Sequence, residues 1–308
     1  MGRKRVRGVV QILVSVLLLG LVLRQVRWAE AWALLRQMDL RWLGVAWGLF
    51  LCGLVVRAVR WQILLGALGV HRPLRELVSW YFVGGFFNVI LPTGFGGDAV
   101  RVVELGQDTS RLGTVLNSVI VERYLGLMVL LAMGLLAALV RPAVAPPATV
   151  IMMAALLVGG LCMAWLLRAG WRPRQQGPGS RLARWLRWPE LVLAVAPYTR
   201  GVLARAAGAS LAFNLLQIAW NVTLGLGVGL HLPVTTYLLC VPLTAVALLL
   251  PAFGGLGVRE LSYVGLFSSV GVAPARALAL SLGVYLITVA SGLVGGVIYL
   301  VGGIRRTS

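Results

Sequence analysis

The sequence is poor in charge and contains almost no lysine. Charged residues make up only 12% of the 308 residues, and Lys4 is the sole lysine. A soluble domain normally has about twice that charged fraction, so a soluble globular protein is excluded. The 59% hydrophobic content and the mean hydropathy of +0.91 predict an all-α fold, that of a polytopic helical membrane protein.

Residues and motifs that bind metals or nucleotides are also scarce. Cys52, Cys162 and Cys240 lie singly within apolar runs, and His71 and His231 are isolated. The sequence contains no CxxC, HExxH, GxSxG or GxxxxGK[ST] pattern, which are the usual signatures of such sites. We therefore expect no metal, no cofactor and no enzymatic activity.

The remaining charge is strongly basic, with a formal net charge of +19. The arginines gather between apolar runs, which indicates contact with lipid headgroups and not with nucleic acid. Residues 168–187 contain six arginines and no acid. By the positive-inside rule this loop, about 168–200, and both termini are expected to be cytoplasmic. The expected location is the inner (cytoplasmic) membrane of a cell.

The apolar runs predict about six full spans and two segments that do not cross. The expected spans are about 8–23, 42–64, 112–140, 148–167, 207–230 and 277–302. For the basic loop to be cytoplasmic, segment 77–100 must enter and leave the membrane on one side, and for the C-terminus to be cytoplasmic as well, segment 234–272 must do the same. We therefore predict two re-entrant broken hairpins within a single transmembrane domain, 1–308. Its halves, about 1–140 and 148–308, would form an inverted-topology repeat.

Two similar stretches mark the predicted hairpin tips: LPTGFGGDAVR at 91–101 and LPAFGGLGVRE at 250–260. Proline ends a helix and glycine permits a tight turn, so both stretches break an apolar helix at membrane depth. Such breaks are tolerated only inside protein or beside a cavity. The predicted turn residues are Pro92, Gly94, Gly96, Gly97, Pro251, Gly254, Gly255 and Gly257.

The charges beside the breaks are candidate ligand-binding residues. Asp98 either caps the helix that follows the first break or belongs to a headgroup site. In the second case Arg101, one turn later, binds a phosphate together with the helix N-terminus, and Asn88 adds its amide. Arg259 and Glu260 either form a salt-bridged turn or repeat this site in the second half.

Glu122 and Arg123 lie inside an apolar span, where ionisable residues usually have a function. Each needs a partner elsewhere, because neighbouring helical residues point about 100° apart. Arg101 or Arg259 is the expected partner of Glu122, and Asp98 or a lipid phosphate that of Arg123. A purely structural bridge is the alternative.

Two other polar groups are expected to have different roles. Arg57 and Arg60 are expected to extend towards lipid phosphates at a span end, with Trp61 as an interface anchor. A stripe at helical spacing is expected to face the protein interior; it consists of Asn214, Gln217 and Asn221.

Four motifs resemble the transmembrane domain of lysylphosphatidylglycerol synthases, which also occurs alone in flippase-like membrane proteins. The motifs are RAVRWQILL (57–65), FFNVILPTGFGGDAVRVVEL (86–105), SVIVERYLGL (118–127) and PAFGGLGVRELSYVGLF (251–267). The resemblance implies a bacterial or archaeal protein that moves lipid between leaflets. We expect this to be a stand-alone member, without the soluble domain that transfers an amino acid from tRNA in the two-part synthases.

Three hypotheses follow. In the first, the chain translocates an anionic, amino-acyl or polyprenyl-phosphate-type lipid, with Arg101 and Arg259 on the phosphate and Asp98, Glu122 and Glu260 on any cationic headgroup. In the second, it is an enzyme, or the partner of an enzyme of lipid or cell-envelope synthesis, that acts on a polyprenyl-phosphate or glycolipid. In the third, it organises lipid or a partner protein. Membrane lipids are the expected ligands in all three.

Overall fold

The computed structural model describes residues 28–91, 96–140, 147–168, 198–248 and 257–306, and within these ranges every regular element is a helix. The predicted span at 8–23 and most of the basic loop lie outside the described residues. The helices are α1 (Trp28–Gln37), α2 (Leu40–Ala67), α3 (Leu74–Ile90), α4 (Gly96–Asp108), α5 (Leu112–Val140), α6 (Pro147–Arg168), α7 (Arg200–Gly227), α8 (Val234–Ala247), α9 (Val258–Ser268) and α10 (Pro274–Arg306).

Within the described ranges, four helices are long and apolar enough to cross a membrane: α2, α5, α7 and α10. They match the predicted spans 42–64, 112–140, 207–230 and 277–302. The predicted span 148–167 corresponds to α6, and its Val150–Trp165 portion is a shorter apolar helix. The all-helical membrane fold is therefore confirmed. Helix α1 was not predicted from the sequence.

The described chain contains the same four-helix order twice, α2–α5 and α7–α10. Helices α2 and α7 each have 28 residues, and each is followed by a glycine at φ 74°, Gly69 and Gly229. The next residues close matching turns, because the Val70 N–H donates to the Leu65 carbonyl at 3.0 Å and the Leu230 N–H to the Gly225 carbonyl at 2.8 Å. These are Schellman-type helix ends, which need a residue with positive φ.

Each long helix is followed by a short broken pair. Helix α3 begins after Pro73 and ends at Ile90, and α4 begins at Gly96. Helix α8 begins after Pro233 and ends at Ala247, and α9 begins at Val258. Both apolar runs are thus interrupted where the sequence predicted. The tip residues 92–95 and 249–256 lie outside the described residues.

The two units pack together through equivalent helices. Helix α2 packs along α7, α3 packs on α10, and, reciprocally, α8 packs on α5. The contacts between α2 and α7 run in opposite order along the two helices. Trp42 lies beside Gly227 and Gly53 beside Phe213, while Arg60 contacts Ser210. The two equivalent helices are therefore antiparallel.

Candidate functional site

The described membrane region contains a buried network of charged side chains centred on Glu122 of α5. The Glu122 side chain is fully buried, and Arg60 of α2 donates to its Oε1 from Nη2 at 2.7 Å. Arg101 Nη2 lies 3.7 Å from the other carboxylate oxygen, and the Tyr81 hydroxyl also donates to Glu122. Three helices of the first half thus supply partners to the buried carboxylate, although its Oε2 accepts no hydrogen bond from a described residue.

Asp98, in the first turn of α4, has arginine partners. Its Oδ1 accepts from Arg101, and its Oδ2 accepts from Arg123 Nε at 2.6 Å. Asn88 caps the helix instead, because its Oδ1 accepts the Gly97 N–H at 2.7 Å. This geometry makes Asp98 part of a charged cluster and gives Asn88 the capping role; the headgroup-binding interpretation of Asp98 stays a prediction.

Arg101 is more enclosed than a ligand-binding arginine was expected to be. Only 1% of the residue is exposed, and its guanidinium lies 4.0 Å from the Tyr81 ring centroid and 4.7 Å from that of Trp61. With carboxylates and aromatic rings around it, Arg101 mainly holds α4 against α2, α3 and α5. Arg123 pairs with Asp98 and Glu122 lies near Arg101, both as the sequence suggested. The closest partner of Glu122, however, is Arg60.

The second break is built differently. Arg259 of α9 lies 5.3 Å from the Tyr285 ring centroid, and its buried Nη1 has no hydrogen-bond partner among the described residues. Glu260 caps its own helix, since its Oε2 accepts the Gly257 N–H at 2.6 Å. Gly257 has φ 81°, a conformation that glycine adopts readily. Arg259 and Glu260 therefore do not form the salt-bridged turn that was the alternative interpretation.

The predicted turn residues are only partly described. Gly96 and Gly97 form the start of α4 and are buried, and Gly257 precedes α9. Gly97 lies so close to Gly84 of α3 that an added Cβ would overlap the Gly84 carbonyl. The other turn residues, which lie outside the described residues, are Pro92, Gly94, Pro251, Gly254 and Gly255.

A cavity of about 450 Å³ lies between the two halves. Four arginines line it: Arg57 and Arg60 of α2, Arg123 of α5 and Arg259 of α9. Among its described lining residues there is no carboxylate. A neighbouring cavity of about 160 Å³ shares Arg57 with it and is lined by Asp98 and Arg101.

The polar stripe of α7 faces this cavity, as predicted. Asn214, Gln217 and Asn221 all line it. Asn214 Nδ2 donates to the Gly126 carbonyl at 3.1 Å, and the Tyr263 hydroxyl donates to Asn221 Oδ1 at 2.7 Å. The larger cavity is therefore lined by cationic and neutral polar groups, the donors that suit an anion.

The expectation that Arg57 and Arg60 extend to the membrane surface is wrong. Arg60 is 3% exposed and Trp61 is fully buried, and Arg57 lies between the rings of Tyr81 and Phe213. The signal was present in the sequence: α2 continues ten residues beyond Arg57, to Ala67. At 1.5 Å per residue this is about 15 Å, too far for a side chain near the helix end.

No group of three or more His, Cys, Asp or Glu side chains in the described ranges is arranged to hold a metal ion. The described polar groups of the cavity are hydrogen-bond donors and amides, so the arrangement suits binding of an anionic group more than coordination of a cation.

Comparison with known proteins agrees with this picture of a membrane domain. The family described as "Lysylphosphatidylglycerol synthase TM region" matches residues 8–296, nearly the whole chain. No curated protein and no solved structure is detectably similar to this chain. The chain is therefore a multi-pass membrane protein that belongs to the lysylphosphatidylglycerol synthase transmembrane-region family.

Proposed function

We propose that this protein translocates a lipid with an anionic headgroup between the leaflets of the cytoplasmic membrane, without changing the lipid chemically. The observation that carries the proposal is the 450 Å³ cavity between the halves, lined by four arginines and by no described carboxylate. Membership of a lipid-related membrane family is consistent with it.

The lining of the cavity suits a lipid headgroup. Arginine binds phosphate through two parallel hydrogen bonds and keeps its charge in a nonpolar environment. Apolar side chains, including Leu54, Leu127 and Leu130, line the same space. A headgroup that crosses the membrane here would exchange its water for arginine and amide donors, which lowers the cost of transfer through hydrocarbon.

The repeated helix order supports an alternating-access mechanism. The equivalent helices α2 and α7 are antiparallel. Helix α3 of the first half packs on α10 of the second, and helix α8 of the second half packs on α5 of the first. Inverted repeats of this kind place broken helices around a central site and expose it to either side by movement of one unit against the other. The re-entrant, inverted arrangement and the cytoplasmic termini are parts of the proposal.

Cysteine labelling tests the topology. Single cysteines replacing Gln175 and Arg306 should react with an impermeant thiol reagent only from the cytoplasmic side, and one replacing His231 only from outside. A cysteine-free background removes the three native thiols. Reaction of the Gln175 position in intact cells would contradict the proposed topology.

Transport is tested with purified protein in liposomes that contain a fluorescent anionic phospholipid. The wild type should move the labelled lipid between leaflets, and the double variant Arg57→Gln/Arg259→Gln should slow this movement strongly. Arg205→Gln is the matched control, because Arg205 lies on the exposed face of α7. Absence of translocation by wild-type protein would overturn the proposal. A chemically modified lipid, detected by mass spectrometry, would favour the enzyme or enzyme-partner hypothesis instead.

A further inference from the structure

The charges around the cavity do not balance, and this imbalance specifies the ligand. Five arginines lie in or beside the two cavities: Arg57, Arg60, Arg101, Arg123 and Arg259. Two described carboxylates, Asp98 and Glu122, contact these arginines. A third, Glu260, directly follows Arg259 in the sequence. Arginine stays protonated in proteins, so five positive charges face three negative ones. Two positive charges are in excess.

The acids are already engaged. Glu122 contacts Arg60 and Arg101, and Asp98 contacts Arg101 and Arg123. These interactions form one connected group within the first half. Glu260 accepts from the backbone of its own helix N-terminus.

One arginine from each half lies outside these ion pairs. Arg57 and Arg259 form no ion pair with a described carboxylate; their guanidinium groups face aromatic rings, Tyr81 and Phe213 for Arg57 and Tyr285 for Arg259. Arg259 Nη1 is buried with no described hydrogen-bond partner. Residues 92–95 and 249–256, at the two breaks, contain no ionisable side chain. They therefore add no negative charge beside these arginines.

We infer that the cavity selects a headgroup with two negative charges, a terminal phosphate monoester, bound between Arg57 and Arg259. This inference rests on the proposed function and narrows its substrate class. A phosphodiester carries one charge and would leave one of the two arginines without a partner. A monoester with a second pKa near 6 carries close to two charges at neutral pH and offers three acceptor oxygens. Two arginines that line the same cavity, one from each half, match that group in charge and in number of donors.

The test compares three lipids that differ in headgroup charge. Purified protein in neutral detergent is titrated with phosphatidic acid (a monoester), phosphatidylglycerol (a diester with one charge) and phosphatidylcholine (a zwitterion). Binding is measured by native mass spectrometry, and translocation of the same lipids is measured in liposomes. We expect phosphatidic acid to bind at least about tenfold more tightly than phosphatidylglycerol, the factor that one additional charge-assisted hydrogen bond supplies.

Charge-removing variants supply a readout that a structural role would not produce. Arg57→Gln and Arg259→Gln each leave one excess charge, so the preference for the monoester should fall to about equal binding, while affinity for phosphatidylglycerol is retained. The double variant should bind both no better than phosphatidylcholine. Arg205→Gln, on the exposed face of α7, should keep the wild-type preference. Equal loss of both lipids in the single variants would overturn the assignment of these two arginines.

The two proposals fail in distinguishable ways. Equal binding and equal translocation of phosphatidic acid and phosphatidylglycerol by the wild type would overturn the two-charge inference and leave the translocase intact. Selective binding of phosphatidic acid without movement of any lipid would overturn the translocase and keep the two-charge site. Inorganic phosphate that competes as well as phosphatidic acid would show a site for free phosphate, and this would overturn the lipid assignment.

Discussion

The two halves of the membrane domain share one helix order but differ in how they use charge. In the first half, the arginines at the break and in the spans, with the exception of Arg57, are paired with carboxylates, as Arg101 is with Asp98 and Arg60 with Glu122. In the second half, Arg259 faces a tyrosine ring and its neighbour Glu260 caps the helix. One half holds a closed ionic network, and the other holds a single arginine that faces the cavity.

Equivalent positions make the difference explicit. Position 18 of the matched 28-residue helices is Arg57 in α2 and Gln217 in α7. The fourth helix of each half contains a tyrosine that lines the cavity, Tyr124 in α5 and Tyr285 in α10. The two residues before each tyrosine are very different. Glu122 and Arg123 precede Tyr124, whereas Gly283 and Val284 precede Tyr285.

This comparison teaches that a shared helix order does not require a shared arrangement of charges. Buried ion pairs fix the relative positions of helices, because breaking one leaves an uncompensated charge. The first half is held together by such a network, and the second half has fewer ion pairs among its described residues. The experiments below test this contrast, in order of decreasing expected effect.

Loss of the Glu122 charge should be the most damaging change. In Glu122→Gln, Arg60 and Arg101 lose their shared carboxylate, and an unpaired buried charge costs on the order of 3–5 kcal/mol. Glu260→Gln is the counterpart in the second half; its amide oxygen still caps Gly257, so its cost should stay below about 1 kcal/mol. Chemical unfolding in detergent measures both. Equal destabilisation by the two variants would contradict the contrast between the halves.

The second test concerns the tight contact between α3 and α4. In Gly97→Ala the new Cβ would overlap the Gly84 carbonyl, a backbone atom that cannot rotate away. The helices must separate, at a cost of about 1–3 kcal/mol or more. Gly265→Ala in α9 is the control, because a Cβ there meets no atom within 4 Å, and alanine favours helix. Thermal unfolding should separate the two variants, and a stable Gly97→Ala protein would show that this contact is looser than described.

The third test alters the network without removing charge. A Cβ at Gly126 would lie 2.8 Å from Arg60 Nη1, so Gly126→Ala should push the guanidinium away from Glu122. The Arg60 side chain can adopt another rotamer, so the cost should be roughly 0.5–1.5 kcal/mol. Gly283→Ala, whose Cβ meets Leu224 at an ordinary 3.4 Å, should be close to neutral. A Gly126→Ala protein with wild-type unfolding would indicate that the Arg60–Glu122 pair tolerates displacement.

The sequence predicted the elements of this fold well because their limits are local. Proline and glycine end helices by covalent geometry, so both breaks were found where the structure has them. The stripe of Asn214, Gln217 and Asn221 was also interpreted correctly, since helical spacing alone places it on one face.

The sequence predicted two pairs of the ionic network, Arg101 with Glu122 and Arg123 with Asp98, but not its closest pair. The Arg60–Glu122 pair joins residues 62 positions apart, and its formation depends on how α2 crosses α5. Arg60 was assigned to the surface because arginine near an expected span end usually extends to lipid. Arg101 was expected to bind a ligand, because the sequence does not show that Trp61, Tyr81 and Glu122, which come from three other helices, enclose its guanidinium. Local spacing contains no information on such crossings.

The smallest expected effect concerns one hydroxyl in the second half. Tyr263 donates to Asn221 at 2.7 Å, whereas the buried Tyr237 hydroxyl has no hydrogen-bond partner among the described residues. Tyr263→Phe should therefore cost about 1 kcal/mol or less, since Asn221 borders the cavity and can bind water instead. Tyr237→Phe should be neutral or slightly stabilising, because it removes a polar atom that gains nothing from burial. Thermal unfolding of both variants in one detergent measures the difference. If Tyr237→Phe is the more damaging of the two, its hydroxyl has a partner outside the described residues, and the second half is held by more polar contacts than the comparison with the first half assumes.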